Sequence, residues 1–155
     1  MKHLYLLLIL CGLVQFGHAE TPCPWINEAT VAGSPDIPVA VQSEATVDGI
    51  SCRFRYQEKG TNYRLHIVVH EITIPWEMDL RCTSAGTPLR GIGKDAVMCR
   101  PRSSSGSEEQ VLGHVRTRVF LVRVSASPIK TKSMTQKMLC EKAKLVSEQV
   151  AGNLF

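Results

Sequence analysis

Basic residues recur at alternate positions in two neighbouring segments of the sequence. Arg53 and Arg55 lie in the first segment, and Arg64 and His66 lie in the second. Alternate residues of a β-strand point to the same face of a sheet. Guanidinium groups gathered on one face can bind a phosphate, an acidic glycan or an acidic protein patch. The alternative interpretation is a solvated basic surface that holds no ligand.

A tight turn between these two segments predicts which residues face each other. Lys59 and Gly60 can form a two-residue hairpin turn between strands over residues 50–57 and 62–72. Hydrophobic pairs then share the inner face, and the basic residues share the outer face. Like charges directly opposite each other destabilise a sheet, which makes the outer face a candidate anion site. The expected pairs are Phe54–Leu65 and Cys52–Ile67 inside, and Arg55–Arg64 and Arg53–His66 outside.

Two further motifs suggest metal or phosphate binding but are better explained by structure. His66 and His70 are four residues apart in a β-branched segment. Four residues along a strand span about 13 Å, which is too far for both imidazoles to hold one ion. The segment Gly93-Lys94 resembles part of a phosphate loop, but Asp95 occupies the position of the required hydroxyl residue. We therefore predict no metal site and no cofactor.

The sequence offers little that indicates catalysis. It has no Gly-x-Ser-x-Gly motif, and a Cys–His nucleophile would have to be built from Cys140 and His114. Such a thiol needs a lowered pKa, which a sequence cannot reveal. We therefore predict a non-catalytic binding module, with a small secreted hydrolase whose site is assembled from scattered residues as the alternative.

The first nineteen residues predict export. A short basic start precedes an apolar run over residues 4–16, and Gly17 and Ala19 are the small residues expected before a cleavage site. We expect residues 1–19 to be a signal peptide and residues 20–155 to form a single secreted or periplasmic domain without a transmembrane segment. Its partner would be an acidic ligand or an envelope component. Nucleic acid is disfavoured because the net charge is only +4 and the protein is exported.

The remaining pattern predicts an α+β fold. We expect an antiparallel sheet of five to six strands, with a short N-terminal helix over 24–32 and a long C-terminal helix over 131–153 packed on one face. A short helix is expected over 75–84, followed by a Gly/Pro loop through residue 93. Four residues form the expected apolar stripe of the C-terminal helix: Leu139, Ala143, Val146 and Val150. The expected strands cover 37–42, 50–57, 62–72, 96–100, 109–115 and 118–125.

The cysteines agree with export. Cleavage removes Cys11 and leaves an odd number, so that at least one thiol stays unpaired in an oxidising compartment. Two bridges can form in fifteen ways, from five choices of the unpaired cysteine and three pairings of the other four. The five cysteines are Cys23, Cys52, Cys82, Cys99 and Cys140.

The chain resembles a family of uncharacterised bacterial exported domains, some of them lipid-anchored. The resemblance rests on CPWINEAT at 23–30, CRF at 52–54, GIGKDAV at 91–97 and VSEQVAGNLF at 146–155. It implies an N-terminal helix, an antiparallel sheet, a C-terminal helix and no assigned enzyme chemistry. Lys94 departs from the smaller polar residue expected in that glycine loop. The resemblance implies two disulfides, Cys23–Cys52 and Cys82–Cys99, and leaves Cys140 as an additional free thiol.

Overall fold

The computed structural model describes residues 23–47, 49–71, 86–101, 107–127 and 132–155. This part of the chain forms one antiparallel sheet of seven strands, with a short helix before it and a long helix after it. The strand order is β1-β2-β3-β7-β6-β5-β4. The elements are α1 Glu28–Ala32, β1 Val39–Thr46, β2 Gly49–Glu58, β3 Thr61–Glu71, β4 Thr87–Leu89, β5 Ala96–Cys99, β6 Glu108–Val115, β7 Arg118–Ser127 and α2 Lys132–Leu154.

The expected sheet of five to six strands is wrong, because a seventh strand lies in the expected Gly/Pro loop. Strand β4 is only three residues long and contains Pro88, so its sequence reads as a loop. It pairs with β5, and Leu89 lies opposite Ala96. Strand β4 is the edge of the sheet, where a proline is tolerated because no further strand needs its missing N–H. Pairing with a distant neighbour, rather than local propensity, makes this segment a strand.

The hairpin of β2 and β3 has the predicted register. Lys59 and Gly60 both have positive φ angles, +48° and +75°, as a two-residue turn of this twist requires. All four expected pairs are confirmed: Phe54–Leu65, Cys52–Ile67, Arg55–Arg64 and Arg53–His66.

The helices share the inner face of the sheet. The α2 helix packs on β6 and β7, and α1 packs on β1 and β2. Lys142 of α2 lies over the rings of Tyr56 and Tyr63, which are on the same face as the buried Phe54. Burial of the predicted apolar stripe of α2 is confirmed for all four of its residues: Leu139, Ala143, Val146 and Val150.

A disulfide and a hydrogen bond hold the N-terminal segment against this core. Cys23 and Cys52 are bonded, with their Cα atoms 5.8 Å apart. The side-chain amide of Asn153, near the end of α2, donates to the carbonyl oxygen of Trp25 at 2.7 Å. Both contacts bring residues distant in sequence to the same end of the inner face, so the short N-terminal helix does not depend on its own propensity.

The second predicted disulfide falls partly outside the described residues. Cys99 takes part in a disulfide, but Cys82 lies outside the described part of the chain, so its pairing with Cys99 stays a prediction. Cys140 is a free thiol on α2. Residues 1–19 and the helix expected over 75–84 also lie outside the described residues. No described helix combines the length and hydropathy needed to cross a membrane.

The hairpin turn yields a prediction about stability. Changing Gly60 to alanine should lower the free energy of unfolding by about 1–2 kcal/mol, because an L-residue is strained at its φ of +75°. The same change at Gly152 should raise it by up to about 1 kcal/mol, because this glycine is helical and a Cβ there meets open space. Urea unfolding of both variants measures the two effects. A Gly60 variant as stable as the wild type would contradict the turn assignment.

Candidate functional site

The outer face of the sheet carries the four basic residues that the sequence predicted together. Arg53 and Arg55 come from β2, and Arg64 and His66 come from β3. Strand β7 adds Arg123, which lies directly opposite His66. We call these five residues the basic face.

Sequence reasoning missed Arg123 because its neighbours are distant in the chain. Strand β7 alternates buried and half-buried residues, and this pattern places Arg123 on the outer face. The pattern does not tell which strand lies beside it. The pairing of β3 with β7 joins segments on either side of three other strands, and local spacing carries no signal for that choice.

The register arranges the outer face in two rows across the strands. The first row runs from Arg55 through Arg64 and Ser125 to Glu108, and the second runs from Arg53 through His66 and Arg123 to Gln110. Neighbouring strands in a sheet are about 4.8 Å apart, so consecutive members of a row are within side-chain contact.

The arginines of the second row are compensated. Arg53 approaches the carboxylate of Glu44 at 3.7 Å, and Nε of Arg123 lies 3.3 Å from the carboxylate of Glu108. Arg123 also donates a hydrogen bond of 3.2 Å to the side-chain oxygen of Gln110. Nε of Arg123 is buried without a well-aligned hydrogen bond, so its contact with Glu108 is mainly electrostatic. Both arginines of the second row thus have a carboxylate beside them.

The two arginines of the first row lack this compensation. Arg55 and Arg64 are both exposed and directly opposite each other. Neither forms an ion pair with a residue in the described part of the chain. The next member of the row is Ser125, which is neutral. The uncompensated positive charge of the basic face is therefore concentrated at Arg55 and Arg64.

Two shallow depressions meet at this pair of arginines. The first, of about 330 Å³, lies over both rows and is also lined by Arg53, His66 and Arg123. The second, of about 340 Å³, lies towards the turn of the hairpin. Its other lining residues are Tyr56, Asn62, Tyr63 and Ser127. Arg55 and Arg64 line both depressions, so a ligand that spans them would pass over the two arginines.

His66 is neutral at the centre of the basic face. Burial lowers the pKa of its imidazole, and the nearby Arg53 and Arg123 lower it further. Its Nε2 atom lies 2.9 Å from the hydroxyl oxygen of Ser51. Because the ordinary pKa of histidine is already below 7, His66 contributes hydrogen bonding rather than charge at neutral pH.

The Ser51–His66 contact resembles a nucleophile and its base, but its surroundings disfavour that chemistry. A histidine base must become an imidazolium when it accepts the serine proton. Arg53 and Arg123 oppose that charge. Glu108, a carboxylate that lines the same depression as His66, contacts Arg123 instead.

The other candidate catalytic pair is not assembled. Cys140 lies on α2, at the inner face, where Gln136 donates a hydrogen bond to its sulfur. His114 lies opposite Val119 on the outer face, so the sheet separates the two residues. Burial also raises the pKa of the Cys140 thiol, which reduces the thiolate available at neutral pH. The described residues contain no cluster of three or more potential metal ligands.

The electrostatics of His66 can be tested with one substitution. Changing Arg53 to glutamine should raise the pKa of His66, because it removes the first of the two nearby cations. NMR titration of the imidazole measures the shift. The change Lys94→Gln, in the exposed loop between β4 and β5, serves as the control and should leave the pKa in place. An unchanged His66 pKa in the Arg53 variant would contradict the arrangement of the second row.

Comparison with known proteins identified no relative of this chain. Family models, curated proteins and solved structures gave no match to the chain. The family resemblance noted from the sequence therefore remains a hypothesis, and the candidate site rests on its own geometry.

Proposed function

We propose that this protein is an exported, non-catalytic binding module whose basic face holds an anionic ligand at Arg55 and Arg64. The observation that carries the proposal is the opposition of two exposed arginines without an ion-pair partner among the described residues. Two guanidinium groups so placed can bind one carboxylate, sulfate or phosphate from both sides.

The energetics of the sheet support this interpretation. Like charges directly opposite each other cost on the order of 0.2–1 kcal/mol in a sheet. The hairpin turn and the buried Phe54–Leu65 pair hold the register that creates this repulsion. A bound anion would relieve the repulsion in addition to forming its own hydrogen bonds. The two arginines are thus preorganised to bind a negatively charged group.

The charge pattern favours a compact acidic ligand over nucleic acid. Glu44 and Glu108 lie on either side of the basic face and limit its uncompensated charge to the first row. A nucleic-acid surface usually offers a longer stripe of cations that follows the phosphate backbone. An acidic envelope component fits the smaller patch better.

The cysteines support a location outside the cytoplasm. The Cys23–Cys52 disulfide is compatible with the extracellular space or the periplasm, where such bonds persist. The signal-like sequence of residues 1–19 points the same way. We therefore propose secretion or release to the periplasm, where an acidic ligand would be met.

Hydrolysis is the less supported alternative. Among the described residues, the Ser51–His66 pair is the candidate for it, and two nearby arginines oppose protonation of that histidine. Anion binding needs only the positive charge that these residues already supply.

Binding can be measured with two anions of different backbone, tripolyphosphate and a linear trimer of galacturonic acid. Arg55→Glu combined with Arg64→Glu should weaken binding of these anions at least tenfold, because it replaces the attraction at the centre of the site with repulsion. In the wild type, affinity should fall between about 20 mM and 200 mM salt, because exposed charges are screened. Calorimetric titration gives both effects.

The matched control carries the same charge change elsewhere. Arg90 and Lys94 are exposed in the loop between β4 and β5, at the far side of the sheet from β2. Arg90→Glu combined with Lys94→Glu should leave binding within about twofold of the wild type, because it retains both arginines of the first row. Equal losses in the two double variants, or no saturable binding of either anion by the wild type, would contradict the proposal.

A further inference from the structure

The surroundings of Arg55 and Arg64 indicate which kind of acidic ligand fits. We infer that the basic face binds an acidic saccharide, with its carboxylate or sulfate between the two arginines and its hydroxyl groups in the depressions on either side. This inference rests on the proposed function and narrows it to one ligand class.

The distribution of charge disfavours a densely charged polyanion. Within the basic face, only Arg55 and Arg64 have no ion pair with a carboxylate of the described residues, and both belong to the first row. Glu44 and Glu108 flank the basic face and would repel further anionic groups of a polyphosphate or a highly acidic peptide. The site therefore matches a ligand whose acidic groups are separated by neutral atoms, as along an acidic saccharide, so that one acidic group at a time lies between the two arginines.

The depression nearest the turn provides neutral hydrogen-bonding groups. Beyond the two arginines, its polar lining includes Asn62 and Ser127, which are exposed and directly opposite each other on β3 and β7. An amide and a hydroxyl can each donate and accept, which suits sugar hydroxyl groups. Tyr56 and Tyr63 complete the lining, but their rings are buried on the inner face, so the polar groups available to a ligand are those of Asn62, Ser127 and the arginines.

The depression over both rows also offers neutral hydrogen-bonding groups. Ser125 and His66 line it together with four arginines and Glu108. Because the pKa of His66 is lowered, its imidazole can accept or donate a hydrogen bond without adding charge at neutral pH. Depressions of about 330 and 340 Å³ are at the lower end of the range for small-molecule sites. A short oligosaccharide that crosses the arginine pair would occupy both.

The trimer of galacturonic acid tests this inference against tripolyphosphate. The wild type should bind the trimer at least tenfold more tightly than tripolyphosphate, although tripolyphosphate has the denser charge. Esterifying the carboxylates of the trimer should abolish binding, because the arginines then lose their anion.

A double variant and a control distinguish the contribution of the neutral hydrogen-bonding groups to affinity from that of the two arginines. Asn62→Ala combined with Ser127→Ala should weaken binding of the trimer about tenfold and leave binding of tripolyphosphate unchanged. Gln42→Ala is the matched control, because Gln42 is an exposed amide beside Arg53 that lines neither depression. It should change neither affinity, and circular dichroism checks that each variant is folded.

The outcomes distinguish the two proposals. If both anions bind through Arg55 and Arg64 with equal affinity, and the Asn62–Ser127 variant binds both normally, the saccharide inference is wrong and the anion site stands. If the arginine double variant binds both anions as the wild type does, the proposed function fails and the inference fails with it.

Discussion

The two-residue turn at Lys59 and Gly60 sets which residues of β2 and β3 face each other. Because side chains alternate between faces, a register slip of one residue would move every side chain of a strand to the wrong side. The buried Phe54 and the disulfide at Cys52 resist such a slip from the inner face. The same constraint places Arg55 opposite Arg64 on the outer face. Burial on one side of the sheet thus maintains an electrostatic repulsion on the other.

The protein relieves most of the charge on its outer face but not all of it. Carboxylates neighbour the arginines of the second row, and burial keeps His66 neutral between them. In the first row, Arg64 has the neutral Ser125 beside it and Glu108 lies one strand further on, and both arginines face solvent. The two adjacent rows therefore contrast in how far their positive charge is compensated. The contrast explains why the candidate site is centred on two residues rather than on all five.

Local pattern was enough to predict the hairpin, its turn and the four basic residues, because these depend on residues close together in sequence. Strand pairings between segments distant in sequence could not be predicted from local pattern. Strand β4 has too few residues and a proline, and only its partner β5 makes it a strand. Arg123 lies beside His66 because β3 pairs with β7, and the alternation of buried and exposed residues along a strand does not indicate which strand is its neighbour. The Cys23–Cys52 bond was implied by resemblance alone, since spacing left fifteen arrangements open.

A double-mutant cycle on Arg55 and Arg64 tests the central claim most directly. Each arginine is changed to glutamine alone and together, and the free energy of unfolding is measured with and without a saturating anion at low salt. The account predicts a repulsive coupling on the order of 0.2–1 kcal/mol without the anion, which becomes favourable when the anion is bound. A coupling near zero that the anion does not change would contradict it, because the two arginines would then neither repel each other nor share a ligand.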